Sequence, residues 1–373
     1  MNLQAQKFDN ALKGANLLSE LFPDEGEVYN LKAGILGLGF IGGADQVSGD
    51  ALGQQVSHLD GTHFVALSSH PEVDLVCGSS RDAGRRERFE ERSGGVKTYA
   101  DWRAMLAEEQ LDIVSVATYA PQHPEMVIEA ARHGARAIFC EKPIAQTIPD
   151  AERMLAACEE SNSLLVINHN RRFNPQYRRL RKLIGEGGLG QLTSASLHWP
   201  SGRLGNVGTH MIDAVQMIVG EVVVAVSGTL DLTGRPDCRG PGFADPGGWG
   251  LLKMESGLIV TVDAADEARV PAQITINGTN GRAFTGGSDV RVEQTGEDSQ
   301  TWSNPADGVS SMDLAVREIV RTLVDGVEFP WSPAESVRTL EAIAGFHASH
   351  ARNAAWTPLP LTGEDRSLLV NSG

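Results

Sequence analysis

Three short stretches place reactive side chains where a fold could use them. In "AIFCEKPIAQ", residues 137 to 146, Ile138, Phe139 and Cys140 read as a buried strand that sets Glu141, Lys142 and Pro143 at its own C-terminal edge. Ligands of open α/β sheets bind beyond the carboxyl ends of strands, and an ammonium there can donate to a ligand oxygen and stabilise developing charge. A mere surface ion pair between Glu141 and Lys142 would leave the proline without a purpose. In "GILGLGFIGG", Gly37, Gly39 and Gly42 stand in G-x-G-x-x-G register with Phe40 and Ile41 between them. The first glycine permits a tight turn, the second lets a pyrophosphate approach the backbone, and the third allows a helix to pack closely on a sheet. In "NVGTHMIDAV", His210 can titrate near neutral pH, and Asp213 shares its helical face three residues on.

These motifs need elements to hold them. From Leu31 to Asn168 the chain alternates β-rich runs, "LKAGILG", "VDLVCGSS", "LDIVSVAT", "ARAIFC" and "LLVIN", with helical segments such as "PEMVIEAARHGA" and "DAERMLAACEES". In those helices Met126, Ile128 and Ala131, or Met154, Leu155 and Cys158, fall on one face. This is the βαβ rhythm of a doubly wound parallel sheet, and it puts the glycine loop directly after the first strand, as a dinucleotide site requires. The first crossover, "GADQVSGDALGQQVSHLDGTHF", is longer than usual, which points to an inserted loop near the coenzyme.

From about His169 the pattern changes to longer strands joined by Gly-rich turns: "LTSASLHW", "EVVVAVSGTLDL", "GLLKMESGLIVTVDAAD" and "AQITINGTNGRAF". The "MESG" and "NGTNG" steps are hairpin signals, so this half is expected to be a mainly antiparallel sheet, with "NVGTHMIDAVQMIVG" and two late helices packed on one face. The expected organisation is an extension over residues 1–27, a Rossmann dinucleotide-binding domain over 28–168, and an α+β domain over 169–373 for substrate and oligomerisation. In the extension, Phe8, Leu12, Leu18, Leu21 and Phe22 form one amphipathic stretch, read as an arm docked on a domain or on a partner subunit.

At the end of the second strand, where an NAD site usually carries an acid for the ribose hydroxyls, the chain reads "CGSSRD". Ser80 takes the acidic position and Arg81 follows; a hydroxyl and a guanidinium suit a 2′-phosphate, which favours NADP over NAD. The alternative is that Asp82 or a backbone group serves the ribose of NAD.

Composition removes other classes. At 373 residues with 41% hydrophobic content, two domains with ample core are expected. No run approaches the roughly 18 apolar residues of a membrane span, and the N-terminus has neither the basic start nor the apolar block of a secretory signal, so a cytoplasmic protein without membrane partners is expected. A net charge of −16 repels a nucleic-acid backbone. Cys77, Cys140, Cys158 and Cys238 are widely spaced and read as small core or isolated residues, with no metal site.

The order "GLGFIG", "SSRD", "ATYAPQHPEMVIEAARHGARAIFCEKPIA", "NHNRRFNP" and "GNVGTHMIDAV" resembles the glucose-fructose oxidoreductase, inositol dehydrogenase and MocA (Gfo/Idh/MocA) family, over nearly all of the chain from Leu31 onward. The resemblance implies that "EKP" closes the fifth strand at the nicotinamide, usually with a cis Lys-Pro bond, and that Glu141 sits near the ribose and nicotinamide. Thr118 and His123, after the fourth strand, are expected to line the coenzyme cleft. Relatives commonly carry D-x-G-x-H on the facing helix. His210 matches the histidine, but Asn206 replaces the aspartate, and an amide cannot take up a proton at neutral pH. The proton relay therefore falls to Lys142 and His210.

The expected substrate-positioning set is Asn206, Arg172, Trp199 and Asp213. Arg172 could hold a hydroxyl or carboxylate; its neighbour Arg171 could be a solvated charge or share that role. Trp199 could stack on a sugar ring or pack in the core, and Asp213 could orient the His210 ring or pair structurally. Together these readings describe an oxidoreductase that moves hydride between NADP, or NAD, and a carbon of a sugar, sugar derivative or cyclitol, as a homodimer or homotetramer. A redox-neutral lyase or glycosidase of the same family, and a non-catalytic sensor of dinucleotide or sugar, are the alternatives.

Overall fold

The computed structural model describes residues 30–51, 53–233, 243–264, 271–304 and 308–372. The amphipathic stretch from Phe8 to Phe22 and Cys238 lie outside the described residues. Six short strands, most of them from near-continuous apolar runs, form a parallel sheet: β1 (Leu31–Leu36), β2 (Val73–Ser79), β3 (Lys97–Tyr99), β4 (Ile113–Val116), β5 (Ala137–Cys140) and β6 (Leu164–Ile167). Their order is β3-β2-β1-β4-β5-β6, so the direction of winding reverses between β1 and β4, where open α/β sheets bind ligands. β4 and β5 are buried at every residue, as expected for parallel strands covered on both faces. The short strand β3 carries no apolar run of its own, so the sequence pattern missed it.

The first crossover is interrupted. Helix α1 (Phe40–Gly43) stops after one turn, Ala44 takes a left-handed backbone, and the chain passes through two 3₁₀ turns before α2 (His63–Ser68). Thr62 starts that second helix by accepting from Val65 N through its side chain. Three further helices follow the coming strands: α3 (Ala83–Ser93), α4 (Trp102–Glu108) and α5 (His123–Arg132). A fourth, α6 (Ile148–Glu160), precedes β6. Cys77, Cys140 and Cys158 are buried free thiols in or beside this sheet.

The second half is a nine-stranded sheet from β7 (Leu192–His198) to β15 (Thr357–Pro358), antiparallel except where β7 pairs with β10 (Ile259–Ala264). Alternate residues of its strands turn inward: Leu197, Ile274, Ile276, Val290 and Val292 join one core with Tyr177 and Leu180 of α7 (Pro175–Gly185), Met211 of α8 (Thr209–Val219) and Phe346 of α10 (Pro333–Ala351). The two late helices do not share this face. The first of them, α9 (Ser311–Asp325), lays Met312, Ala315, Val316, Ile319 and Val320 on the opposite sheet, against Leu31, Ala33, Phe64 and Leu67. Its amphipathic face was legible in the sequence, but an apolar stripe does not say which of two sheets it will cover.

Candidate active site

At the carboxyl end of β1, Gly37 turns the chain with φ +105°, a backbone that a side chain would oppose. A Cβ on Gly42 would stand 1.9 Å from the carbonyl oxygen of Gly37, so only a glycine lets α1 approach the loop this closely. The loop, with Gly39, Phe40 and Ile41, opens one end of a cleft of about 980 Å³. Ser80, Arg81 and Thr118 line its flank, and Glu141, Lys142, Asn206 and His210 its far end. The volume is at the upper end of the roughly 300–1,000 Å³ of small-molecule and cofactor sites.

The far end is assembled from both halves of the chain. Lys142 stands just beyond β5, its bond to Pro143 is cis, and its Nζ donates to the carbonyl oxygen and side-chain Oδ1 of Asn206 at 3.3 and 3.4 Å. Asn206 lies in a π-helical turn, Leu204–Gly208, that leads into α8. Asp245 anchors that turn, accepting from Gly205 N at 2.7 Å and Asn206 N at 2.8 Å. His210, one turn further on, is held well below the usual histidine range, by burial first and then by the positive charges of Lys142 and Arg171. Its Nδ1 is buried and has no hydrogen-bond partner among the described residues. The ring is therefore neutral around pH 7 and competent to accept a proton.

Glu141 is fixed beneath this pair. Asn168 donates to its Oε1 at 2.7 Å, and the fully buried His63 lies 3.1 Å from the same oxygen through Nε2. Burial by itself would raise Glu141, but the hydrogen bond and charge of His63, with Lys142 and Asn168, outweigh it and hold the carboxyl at about 2. An ionised carboxylate only accepts, so Nε2 of His63 donates to it, and Nδ1 lies 2.6 Å from Ser115 Oγ. The result is a rigid anion on the cleft floor, beside the ammonium of Lys142.

A family model described as an oxidoreductase family with an NAD-binding Rossmann fold matches residues 31–169, and a GFO/IDH/MocA C-terminal domain model matches residues 177–284; together they cover more than half of the chain. The chain belongs to the Gfo/Idh/MocA oxidoreductase family. It is 28% identical to a D-apiose dehydrogenase of Paraburkholderia graminis over 223 residues, a match spanning 56% of this chain and 58% of that relative. It is 27% identical to the levoglucosan dehydrogenase of Pseudarthrobacter phenanthrenivorans over 281 residues, 65% of this chain and 69% of the relative. Among solved structures, a levoglucosan dehydrogenase in complex with NADH and levoglucosan has the same fold, with a TM-score of 0.72 at 22% identity over 89% of this chain and all of that one. A 3-ketoreductase of Actinomadura kijaniata in complex with TDP-benzene and NADP aligns with a TM-score of 0.69 at 22% identity, over 86% of this chain and 98% of that one.

A dinucleotide fits the residues of this Gfo/Idh/MocA chain: Gly37 and Gly39 present a side-chain-free loop to one end of the cleft, and polar side chains line it from Ser80 to Lys142. When bound, the nicotinamide supplies the hydride chemistry, and the protein supplies position and charge.

Four expected site residues lie elsewhere. Arg172 is only 4% exposed, and its Nε donates to both carboxylate oxygens of Asp213, so the two form a buried ion pair rather than a substrate contact. Asp213 consequently does not orient His210; besides Arg172 it faces His169 Nδ1 at 3.4 Å. Trp199 is fully buried, its indole donates to Gly202 O, and it packs under Gly208, so it presents no ring face to a sugar. His123 is also fully buried, behind the cleft wall, with its ring nitrogens 2.9 Å from Thr118 O and Pro143 O; burial holds it below the usual histidine range. It braces the "EKP" turn from behind.

Other cleft residues escaped the sequence reading. Asn168 sits at the end of β6, and the strand-end rule that found Lys142 could have found it. Arg203, with φ +59°, lines the cleft just before the π-helical turn. Asp50 and Arg85 also line it, and nothing local in the sequence marks either.

Proposed function

We propose that this enzyme is an NADP-preferring dehydrogenase or reductase that interconverts a hydroxyl and a carbonyl on a sugar, sugar derivative or cyclitol. The observation that carries the reading is the convergence of Lys142 and His210 from two different halves of the chain on one end of the cleft whose other end is the glycine loop. Binding between them aligns hydride donor and acceptor. The Nζ of Lys142 donates to the reacting oxygen and stabilises the negative charge that develops there. The neutral ring of His210 takes the hydroxyl proton in the direction of oxidation and returns it in reduction. Asn206 holds the ammonium in line through its two oxygens, and Arg203 takes the positioning role that Arg172 cannot fill. The dehydrogenase names of the relatives support the substrate class. Incubating the purified protein with NADPH or NADP⁺ and a panel of ketosugars, sugars and cyclitols tests the proposal: net coenzyme turnover is expected with at least one. Saturable coenzyme binding without turnover on any of them would overturn it.

The preference for NADP rests on the far flank. Ser80 and Arg81 face the cleft, whereas Asp82 accepts from Arg85 N as the cap of α3 and does not line the cleft. Ser80→Asp is expected to repel a 2′-phosphate and shift preference toward NADH by roughly 1 to 3 kcal/mol. The ratio of kcat/KM for the two coenzymes, measured in both proteins, checks it; an unchanged ratio removes Ser80 from the site.

A further inference from the structure

The interrupted first crossover brings a carboxylate onto the glycine loop. Asp50 Oδ2 accepts from Phe40 N at 3.2 Å, while its Oδ1 accepts from Arg85 Nη2 at 3.2 Å. It lies so close to the loop that a Cβ on Gly39 would stand 2.4 Å from Oδ2. Gly39 is the position at which this class of loop lets a pyrophosphate approach the backbone, and an amide and a guanidinium are donors that a phosphate oxygen would also take.

The ends of the intervening segment are clamped independently of this contact. Arg88 grips the fully buried Asp45 through two hydrogen bonds of 2.9 and 2.6 Å, and Asp60 accepts from Ser311 N at 2.8 Å. Between those clamps the carboxylate of Asp50 remains 22% exposed to the cleft, so it can leave the loop without unfolding either end.

We propose that Asp50 is an internal anion that competes with the coenzyme's phosphates for Phe40 N and Arg85, and thereby sets coenzyme affinity. The inference rests on the dinucleotide reading of the cleft. A phosphate that enters exchanges one anion for another on the same donors, and Arg85 passes from Asp50 to the coenzyme. The free energy of the Asp50 contacts is subtracted from that of binding, as for any site whose competent state is only partly populated.

The test is the dissociation constant of NADPH and of NADH, read by fluorescence titration on the full-length protein. Asp50→Asn, which keeps the shape and removes the charge, is expected to tighten both by about 10-fold, the scale of one charge-assisted hydrogen bond. Asp50→Ser should do the same. Arg85→Met should weaken both coenzymes in the wild type and reduce the gain in the Asp50→Asn background. Unchanged or weaker binding in both Asp50 variants overturns the inference, and a loss confined to NADH would instead make Asp50 a ribose ligand and overturn it too. If the wild type binds neither nucleotide, the dinucleotide reading falls and this inference with it; wild-type binding with no gain in the variants defeats the inference alone.

Discussion

Lys142→Met is expected to lower the rate of hydride transfer by about 10²- to 10⁴-fold, and His210→Ala by about 100-fold or more, with coenzyme affinity little changed in either. The expectation follows from geometry: Nζ of Lys142 and the ring of His210 meet at one end of the cleft, and methionine keeps the bulk of the lysine while removing its charge and its donors. Asn206→Ala should cost less, because the amide positions the ammonium and carries no proton. The pH dependence has a definite sign. The depressed pKa of His210 keeps its ring neutral well below pH 6.5, so the acid limb of the rate profile should lie below the range of an ordinary histidine. Asn206→Asp adds a negative charge beside Lys142, which favours a protonated ring and should move that limb upward. Single-turnover rates across pH distinguish these variants. Near-normal turnover in Lys142→Met would sink the mechanism.

Arg172→Met is expected to destabilise the fold by about 3 to 5 kcal/mol, the scale of removing one partner from a buried ion pair. Arg172 Nη2 adds a 2.8 Å bond to the two that Nε makes with Asp213, its Nη1 pairs with Glu335, and its guanidinium lies 5.2 Å from the Trp331 ring. Without it, the fully buried Asp213 keeps Thr339 Oγ1 at 3.4 Å and His169, which burial above all pushes down to about 4 and so leaves uncharged at neutral pH. Neutralising both partners in Arg172→Met/Asp213→Asn should recover part of the loss, because the double variant strands no charge. Urea denaturation midpoints measure the effect. A raised KM with an unchanged midpoint would return Arg172 to the substrate site.

What could be read in the sequence and what could not divides along one line. Gly37, Gly39, Gly42, Lys142 and His210 were legible because each owes its place to its own element: a turn after a strand, a strand end, a helix face. Arg172 and His123 were misplaced, and Trp199 and Asp213 were left open between site and core, because their types suit either, and burial is decided by partners as far off as Glu335 for Arg172. His63 and Asp50 went unnoticed for the complementary reason. His63 touches the site through Glu141, 78 positions away, and Asp50 lines the cleft with one oxygen on Arg85, 35 positions away; no local pattern announces either contact.

The position of α9 bears on how the chain is made. Residues 31–79 hold the two strands and the short helix whose apolar surface includes Leu31, Ala33, Phe64 and Leu67, but the helix that covers them begins only at Ser311. At about 5–20 residues per second, a ribosome needs on the order of 10 to 50 s to bring that cover out. Through that interval the coenzyme half carries an uncovered hydrophobic face. Nascent chains stalled before and after residue 325 should therefore differ in their need for chaperone protection, although both contain every strand of the first sheet.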